Sequence, residues 1–190
     1  LNLPIETQAL AESLVGCILV RESREGLVAG RIVETEAYLP GDPACHAYIG
    51  KTARNATLFG PPHRAYVYLI YGTSHCFNLS SESDGEGAGV LVRALEPVEG
   101  LAIMQRRRGT ELLRDLCRGP GRLCAALAID RSFDGAELFT GRNLWIESGD
   151  PKGRVRRSRR IGLSRAAHRR LRFYETGNPF VSGPARLSPP

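Results

Sequence analysis

The segment Arg31-Ile-Val-Glu-Thr-Glu-Ala-Tyr38 constrains this chain more than any other. Side chains alternate along a strand, so an extended backbone here puts Glu34, Glu36 and Tyr38 on one face and Thr35 and Ala37 on the other. Two neighbouring carboxylates at the end of an apolar strand repel each other and need a compensating group. On a solvent-facing edge water would suffice. The alternative is a cation from another strand, and Arg93, set in the otherwise apolar Gly89-Val-Leu-Val-Arg-Ala-Leu95, is the candidate. An unpaired guanidinium buried there would be costly, so it calls for a carboxylate partner. A carboxylate and an arginine at a pocket floor can hold a water between them, the carboxylate taking its proton or stabilising positive charge on a sugar and the arginine fixing the geometry.

Downstream, Ala65-Tyr-Val-Tyr-Leu-Ile-Tyr-Gly72 brings Tyr66, Tyr68 and Tyr71 together just before a glycine. Alternation sets Tyr66 and Tyr68 on one face, where they either pack in a core or line a site. Tyr71 abuts the turn and can project from a hairpin tip, as an aromatic wedge between stacked bases would. Asn78, on the returning strand, either hydrogen-bonds a ligand edge or ties down the turn. His46 lies in the long polar loop Pro40 to Pro62; long loops on a rigid scaffold often carry function, but a histidine there is more often an ordinary surface residue than a functional one. Carboxylates beside an aromatic cluster suggest hydrolysis of a flat, stackable substrate such as a nucleobase.

The net charge of +6 favours a polyanionic partner. Of 26 basic residues only Lys51 and Lys152 are lysines. Arginine's planar fork suits phosphates, although a composition bias toward arginine would give the same count. The five cysteines, at 17, 45, 76, 117 and 124, form no C-x-x-C pair. That argues against a disulfide framework and against zinc, even with His46 following Cys45, and favours buried thiols in a reducing compartment. No apolar run approaches the roughly 20 residues of a membrane span, and no signal peptide is visible. A soluble intracellular domain is expected. The chain starts at Leu1 rather than methionine, which leaves room for a longer native N-terminus.

At 190 residues one domain spanning 1–190 is expected. The pattern predicts a helix over Glu6 to Val15 and strands over Cys17 to Val20 and Leu27 to Tyr38. A hairpin follows over Ala65 to Tyr71 and Cys76 to Ser80, then a strand over Ala88 to Leu95. Helices are predicted over Pro97 to Arg108 and Pro120 to Ala128, and strands over Asn143 to Glu147, Arg154 to Leu163 and Leu171 to Glu175. Apolar residues within the Arg-rich 154–172 stretch argue that it belongs to the fold. The fold class is α+β, dominated by an antiparallel or mixed sheet.

These motifs, with Gly119-Pro-Gly-Arg-Leu-Cys-Ala-Ala-Leu-Ala-Ile129 and Leu171-Arg-Phe-Tyr174, resemble the alkyladenine (3-methyladenine) DNA glycosylases in order and nearly end to end. The resemblance implies a single mixed α/β domain around a curved antiparallel sheet, with a protruding β-hairpin that enters the DNA minor groove. It makes Glu36 the catalytic carboxylate and Arg93 the residue positioning the attacking water, with the Ile161 carbonyl as a further contact to that water. Tyr38, His46 and Tyr68 become the walls around a flipped base, Asn78 a pocket residue, and Tyr71 the side chain that fills the vacated stack. Glu34 remains a neighbour whose charge raises the proton affinity of Glu36.

The implied activity is monofunctional: alkylated or deaminated purines are excised from duplex DNA by a Glu-activated water, with no metal and no cofactor. The implied protein is a monomer, cytoplasmic and nucleoid-associated in a bacterium or nuclear in a eukaryote. Thr73 and Ser74 replace bulkier methionine and tyrosine of vertebrate members, and Arg170 stands where many members have proline. A chain without the long basic N-terminal extension of vertebrate members is expected. Two other readings compete. A bifunctional lyase would need an amine, available from Lys51, Lys152 or the N-terminus. A non-catalytic nucleic-acid-binding module would use the arginines and tyrosines alone.

Overall fold

The computed structural model describes residues 1–188. Its eight strands form one curled antiparallel sheet. Helix α1 (Thr7–Ser13) is capped by Glu6, whose carboxylate accepts from the Gln8 and Ala9 amides at 3.0 and 2.6 Å. Strands β1 (Ile18–Ser23) and β2 (Gly26–Tyr38) follow as a hairpin, then β3 (Ala65–Ile70), β4 (Ser74–Ser80) and β5 (Gly89–Glu99). Helices α2 (Leu101–Arg108), α3 (Leu113–Leu116) and α4 (Pro120–Leu127) cover one face, and β6 (Leu144–Glu147), β7 (Val155–Ser158) and β8 (Arg172–Glu175) complete the sheet.

The order β3-β4-β5-β2-β1-β6 puts β2 inside the sheet, and β8 pairs with both β2 and β7. All residues of β2 from Val28 to Ala37 are buried. On one face Leu10, Ile32, Phe77, Val92 and Leu123 belong to the main core between sheet and helices. On the other, Val33 and Ala94 pack with Tyr174 and Val181 in a smaller cluster.

Two boundaries depart from the sequence pattern for a local reason. Pro97 does not begin a helix: β5 runs on to Glu99, with Pro97 paired to Gly30 across a register shift. Proline is tolerated where a bulge already interrupts the ladder. The helix starts only after Gly100, at φ +73, where a Cβ would lie 2.4 Å from the Leu27 carbonyl oxygen. The strand expected over Arg154 to Leu163 stops at Ser158, and the backbone beyond it turns into the site instead. The short α3 carries no periodicity that sequence could reveal.

A candidate active site beneath an aromatic cavity

The chemistry-bearing face of β2 is made by two facing bulges. Ile32 pairs with Leu95 and Glu34 with Ala94, so Val33 is the extra residue on β2. Glu34 pairs with Ala94 and Thr35 with Val92, so Arg93 is the extra residue on β5. Bulges re-aim side chains and break pairing, and here they turn Arg93 toward the carboxylates. Regular alternation resumes after the bulge: Thr35 donates to the Ala11 carbonyl at 2.7 Å on the core side, while Glu34 and Glu36 lie on the other.

Neither glutamate faces solvent, as a plain edge strand would have had it; both are fully buried. Glu34 Oε1 accepts from Arg172 Nε at 2.5 Å and Arg93 Nε at 3.1 Å, and Oε2 accepts from the Ser182 amide at 2.6 Å. Ser182 Oγ also accepts from Arg93 Nη2 at 3.3 Å. Arg172, wholly buried, reaches on to Ser158, Leu187 and Ser188. Glu34 is therefore saturated with structural donors. Its anchors at Arg172 and Ser182 lie far away in sequence, so no local pattern announced them.

Glu36 is held differently. Oε1 accepts the Ile161 amide at 2.7 Å and lies 3.4 Å from Arg93 Nη1, and Oε2 accepts the Tyr38 hydroxyl at 2.9 Å. Burial pushes its proton affinity up; the Arg93 charge and the two hydrogen bonds pull it down without cancelling the rise, and Glu34 adds a small further increase. Burial works against the charge of Arg93, but both carboxylates outweigh it and keep the guanidinium protonated.

Above Glu36 opens a cavity of about 350 Å³. Three of the groups that touch Glu36, namely Tyr38, Arg93 and Ile161, line it. His46 and Tyr68 form one side, their rings 4.5 Å apart edge to face, and His46 Nδ1 lies 3.0 Å from the Tyr66 hydroxyl. Burial, with the Arg54 charge added, lowers the His46 pKa and favours a neutral ring. The loop that presents His46 is stapled by Asn55, which donates to the His46 and Gly50 carbonyls at 2.9 and 3.0 Å. Tyr38 contributes another wall, its ring backed by the Arg160 guanidinium at 4.6 Å. Asn78 also lines the cavity and donates to the Tyr66 carbonyl at 3.0 Å.

Tyr71 stands at the mouth, 90 % exposed. Tyr71 and Gly72 both adopt left-handed backbone, φ +53 and +68, and the Thr73 amide closes the turn on the Ile70 carbonyl at 3.3 Å. Consecutive positive φ values suit a tight hairpin turn, yet tyrosine is strained there.

The residues singled out from sequence, Glu36, Arg93, Tyr38, His46, Tyr68, Tyr71 and Asn78, thus all lie at or directly beneath one cavity. Alternation groups Tyr66 with Tyr68, core or site, without giving it a role, and Tyr66 proves to line the cavity; Asp42 and Arg160 are distinguished by nothing local. The wall residue Tyr38 proves also to be a donor to Glu36. No lysine is among the described residues that line the cavity; Lys152 Nζ pairs with Glu96 Oε1 at 2.7 Å. All five cysteines are free and buried, and no cluster of His, Cys, Asp or Glu among the described residues could hold a metal. No helix among the described residues is long and apolar enough to cross a membrane.

Comparison with known proteins points to one family. Residues 3–179 match the family model described as methylpurine-DNA glycosylase. A protein of Mesorhizobium japonicum is 55% identical over 98% of this chain and 90% of its own length. One of Paraburkholderia phytofirmans is 48% identical over 98% and 88%, and one of Rubrobacter xylanophilus 48% identical over 92% of each. All three carry the name "Putative 3-methyladenine DNA glycosylase".

Proposed function

Because the chain belongs to the methylpurine-DNA glycosylase family, we propose that it removes alkylated purines, 3-methyladenine among them, from duplex DNA. The observation that carries this reading is Glu36, buried under an aromatic-walled cavity and held by Tyr38, Ile161 and Arg93.

A base within a duplex cannot reach such a cavity, so its nucleotide rotates out of the stack, at a cost of a few kcal/mol. The hairpin lies in the minor groove, and Tyr71 occupies the gap the base leaves. His46 and Tyr68 contact one face of the base and Tyr38 the other. Their electron-rich rings favour a cationic alkylpurine, and Asn78 faces its edge. Glu36, ionised, takes a proton from a water that Arg93 and the Ile161 carbonyl hold against the anomeric carbon. The water oxygen bonds to that carbon as the glycosidic bond breaks, and the bonding pair leaves with the base. The products are free base and an abasic site. A cationic alkylpurine leaves neutral, whereas hypoxanthine or ethenoadenine must first be protonated. Water is the nucleophile and the reaction stops there; among the described residues that line the cavity none offers an amine for a Schiff base. The enzyme acts as a monomer and needs no metal.

Single-turnover assays on duplexes carrying 3-methyladenine, 7-methylguanine, hypoxanthine or ethenoadenine test this. Release of free base with alkali-labile abasic sites, and no borohydride-trapped adduct, is the expected outcome. Tight binding without release of any of these bases would leave a non-catalytic binding module instead.

A further inference from the structure

Behind the cavity wall, and outside the roles assigned above, lies a second fully buried ion pair. Arg160 Nη1 is 2.6 Å from Asp42 Oδ2, and neither side chain has any exposure. The same Nη1 donates to the Ala37 carbonyl at 2.9 Å. Among the described residues Nε and Nη2 find no acceptor; the guanidinium carbon instead lies 4.6 Å from the Tyr38 ring centroid. Asp42 Oδ1 accepts the Ala44 amide at 3.0 Å, and Arg169 approaches Oδ2 at 3.7 Å.

The connectivity of this pair gives it a task. Asp42 begins the loop that presents Cys45 and His46 to the cavity. Ala37 separates Glu36 from Tyr38 on β2. Arg160 immediately precedes Ile161, whose amide binds Glu36. A single guanidinium therefore fastens the 159–163 segment and the 40–46 loop to the end of β2. We propose that Asp42 and Arg160 are positioning residues for base excision, a latch that holds the Ile161 amide on Glu36 and the Tyr38 ring against the base. The proposal rests on the excision reading for its catalytic consequence but not for its structural one.

Buried ion pairs are expensive to form, and a well-packed apolar pair of similar volume is often no less stable. Keeping charge here is thus weak evidence for stability and better suited to holding geometry. The Ile161 hydrogen bond is among the groups that restrain the rise in Glu36 proton affinity. If it is lost, the charged and titratable groups still acting on Glu36 are Arg93, Glu34, Tyr38, Tyr68 and Cys76, with Arg172 committed to Glu34. The carboxylate would then hold its proton to higher pH.

The test compares Asp42→Asn, Arg160→Lys and the paired replacement of Asp42→Leu with Arg160→Met, which avoids leaving one charge alone. Folding is checked by circular dichroism, duplex affinity with an uncleavable lesion analogue, and excision in single turnover from pH 5 to 9. Expected are affinities within about threefold of the parent, excision slower by about tenfold or more, and an acid limb moved to higher pH, with Arg160→Lys recovering part of the rate. Excision at the parent rate with an unmoved acid limb in the folded paired variant would overturn the latch. In parallel, the ¹⁵N–¹H shift of the Ile161 amide should change on Asp42→Asn; an unchanged shift would also overturn it. A parent protein that excises nothing would count against the functional reading, and the amide shift would still decide the latch.

Discussion

One guanidinium serves two buried carboxylates of the same strand: Arg93 Nε reaches Glu34 Oε1 at 3.1 Å while its Nη1 lies 3.4 Å from Glu36 Oε1. The two glutamates are nonetheless unequal. Glu34 is enclosed by Arg172 and the Ser182 amide, whereas the groups around Glu36 open onto the cavity.

Removing Glu34 should therefore act first on stability. Glu34→Ala leaves Arg172 and Arg93 without their shared acceptor, and breaking a buried pair from one side destabilises by about 3–5 kcal/mol. Urea denaturation measures this; a loss below about 1 kcal/mol would show that the guanidiniums relax to other partners.

The pH dependence has two signs. Glu36 must be ionised to act, and its folded proton affinity is raised, chiefly by burial. Excision should consequently fail on acidification earlier than an ordinary carboxylate would dictate. A carboxyl with a raised folded pKa contributes stability that is present below its unfolded pKa and is lost as pH rises through the folded one. Glu36→Gln should hence gain stability relative to the parent at pH 8, with the difference shrinking toward pH 4. Thermal unfolding across this range checks the sign.

Tyr38→Phe separates wall from donor. It keeps the ring and the Arg160 contact but deletes the 2.9 Å bond to Glu36. A hydrogen bond to a charged group is worth about 1.5–3 kcal/mol, so excision at neutral pH should fall about tenfold or more while lesion affinity stays near that of the parent. Equal losses in both would make Tyr38 a wall alone.

At the turn, strain and exposure coincide in Tyr71. Tyr71→Gly relieves a left-handed tyrosine but frees the unfolded chain, so stability should change by less than about 1 kcal/mol. Base flipping, followed with a 2-aminopurine reporter, should fall by about five- to a hundredfold, since stacking on an aromatic is worth roughly 1–3 kcal/mol. The deficit should be larger for stably paired lesions than for mispaired ones. Unaltered flipping would place the wedge elsewhere.

How far the sequence reveals these relations depends on their range. Alternation along β2 and β3 places Glu34 with Glu36 and Tyr66 with Tyr68, because those faces are set by the pleat alone. The paired bulges at Val33 and Arg93 are invisible in sequence: each is an extra residue only relative to a partner strand. The need of Arg93 for a carboxylate is legible from its apolar surroundings, but its sharing between two glutamates is not. Pro97 misleads because proline favours helix starts in general, while here a bulge accommodates it within β5. The apolar positions of the 154–172 stretch place it within the fold, but nothing in it marks Arg160 and Arg172 for burial; the closure of the 159–188 segment over β2 buries them.

The most direct measurement is single-turnover excision of 3-methyladenine from duplex DNA by the parent, Glu36→Gln and Glu34→Gln, with binding measured alongside. Glu36→Gln should bind the damaged duplex nearly as well as the parent yet lose at least about a hundredfold in excision, the scale of a lost general base. Glu34→Gln, if folded, should retain far more activity. An active Glu36→Gln beside an inactive, folded Glu34→Gln would contradict the assignment, and equal activity in all three would remove the carboxylate mechanism altogether.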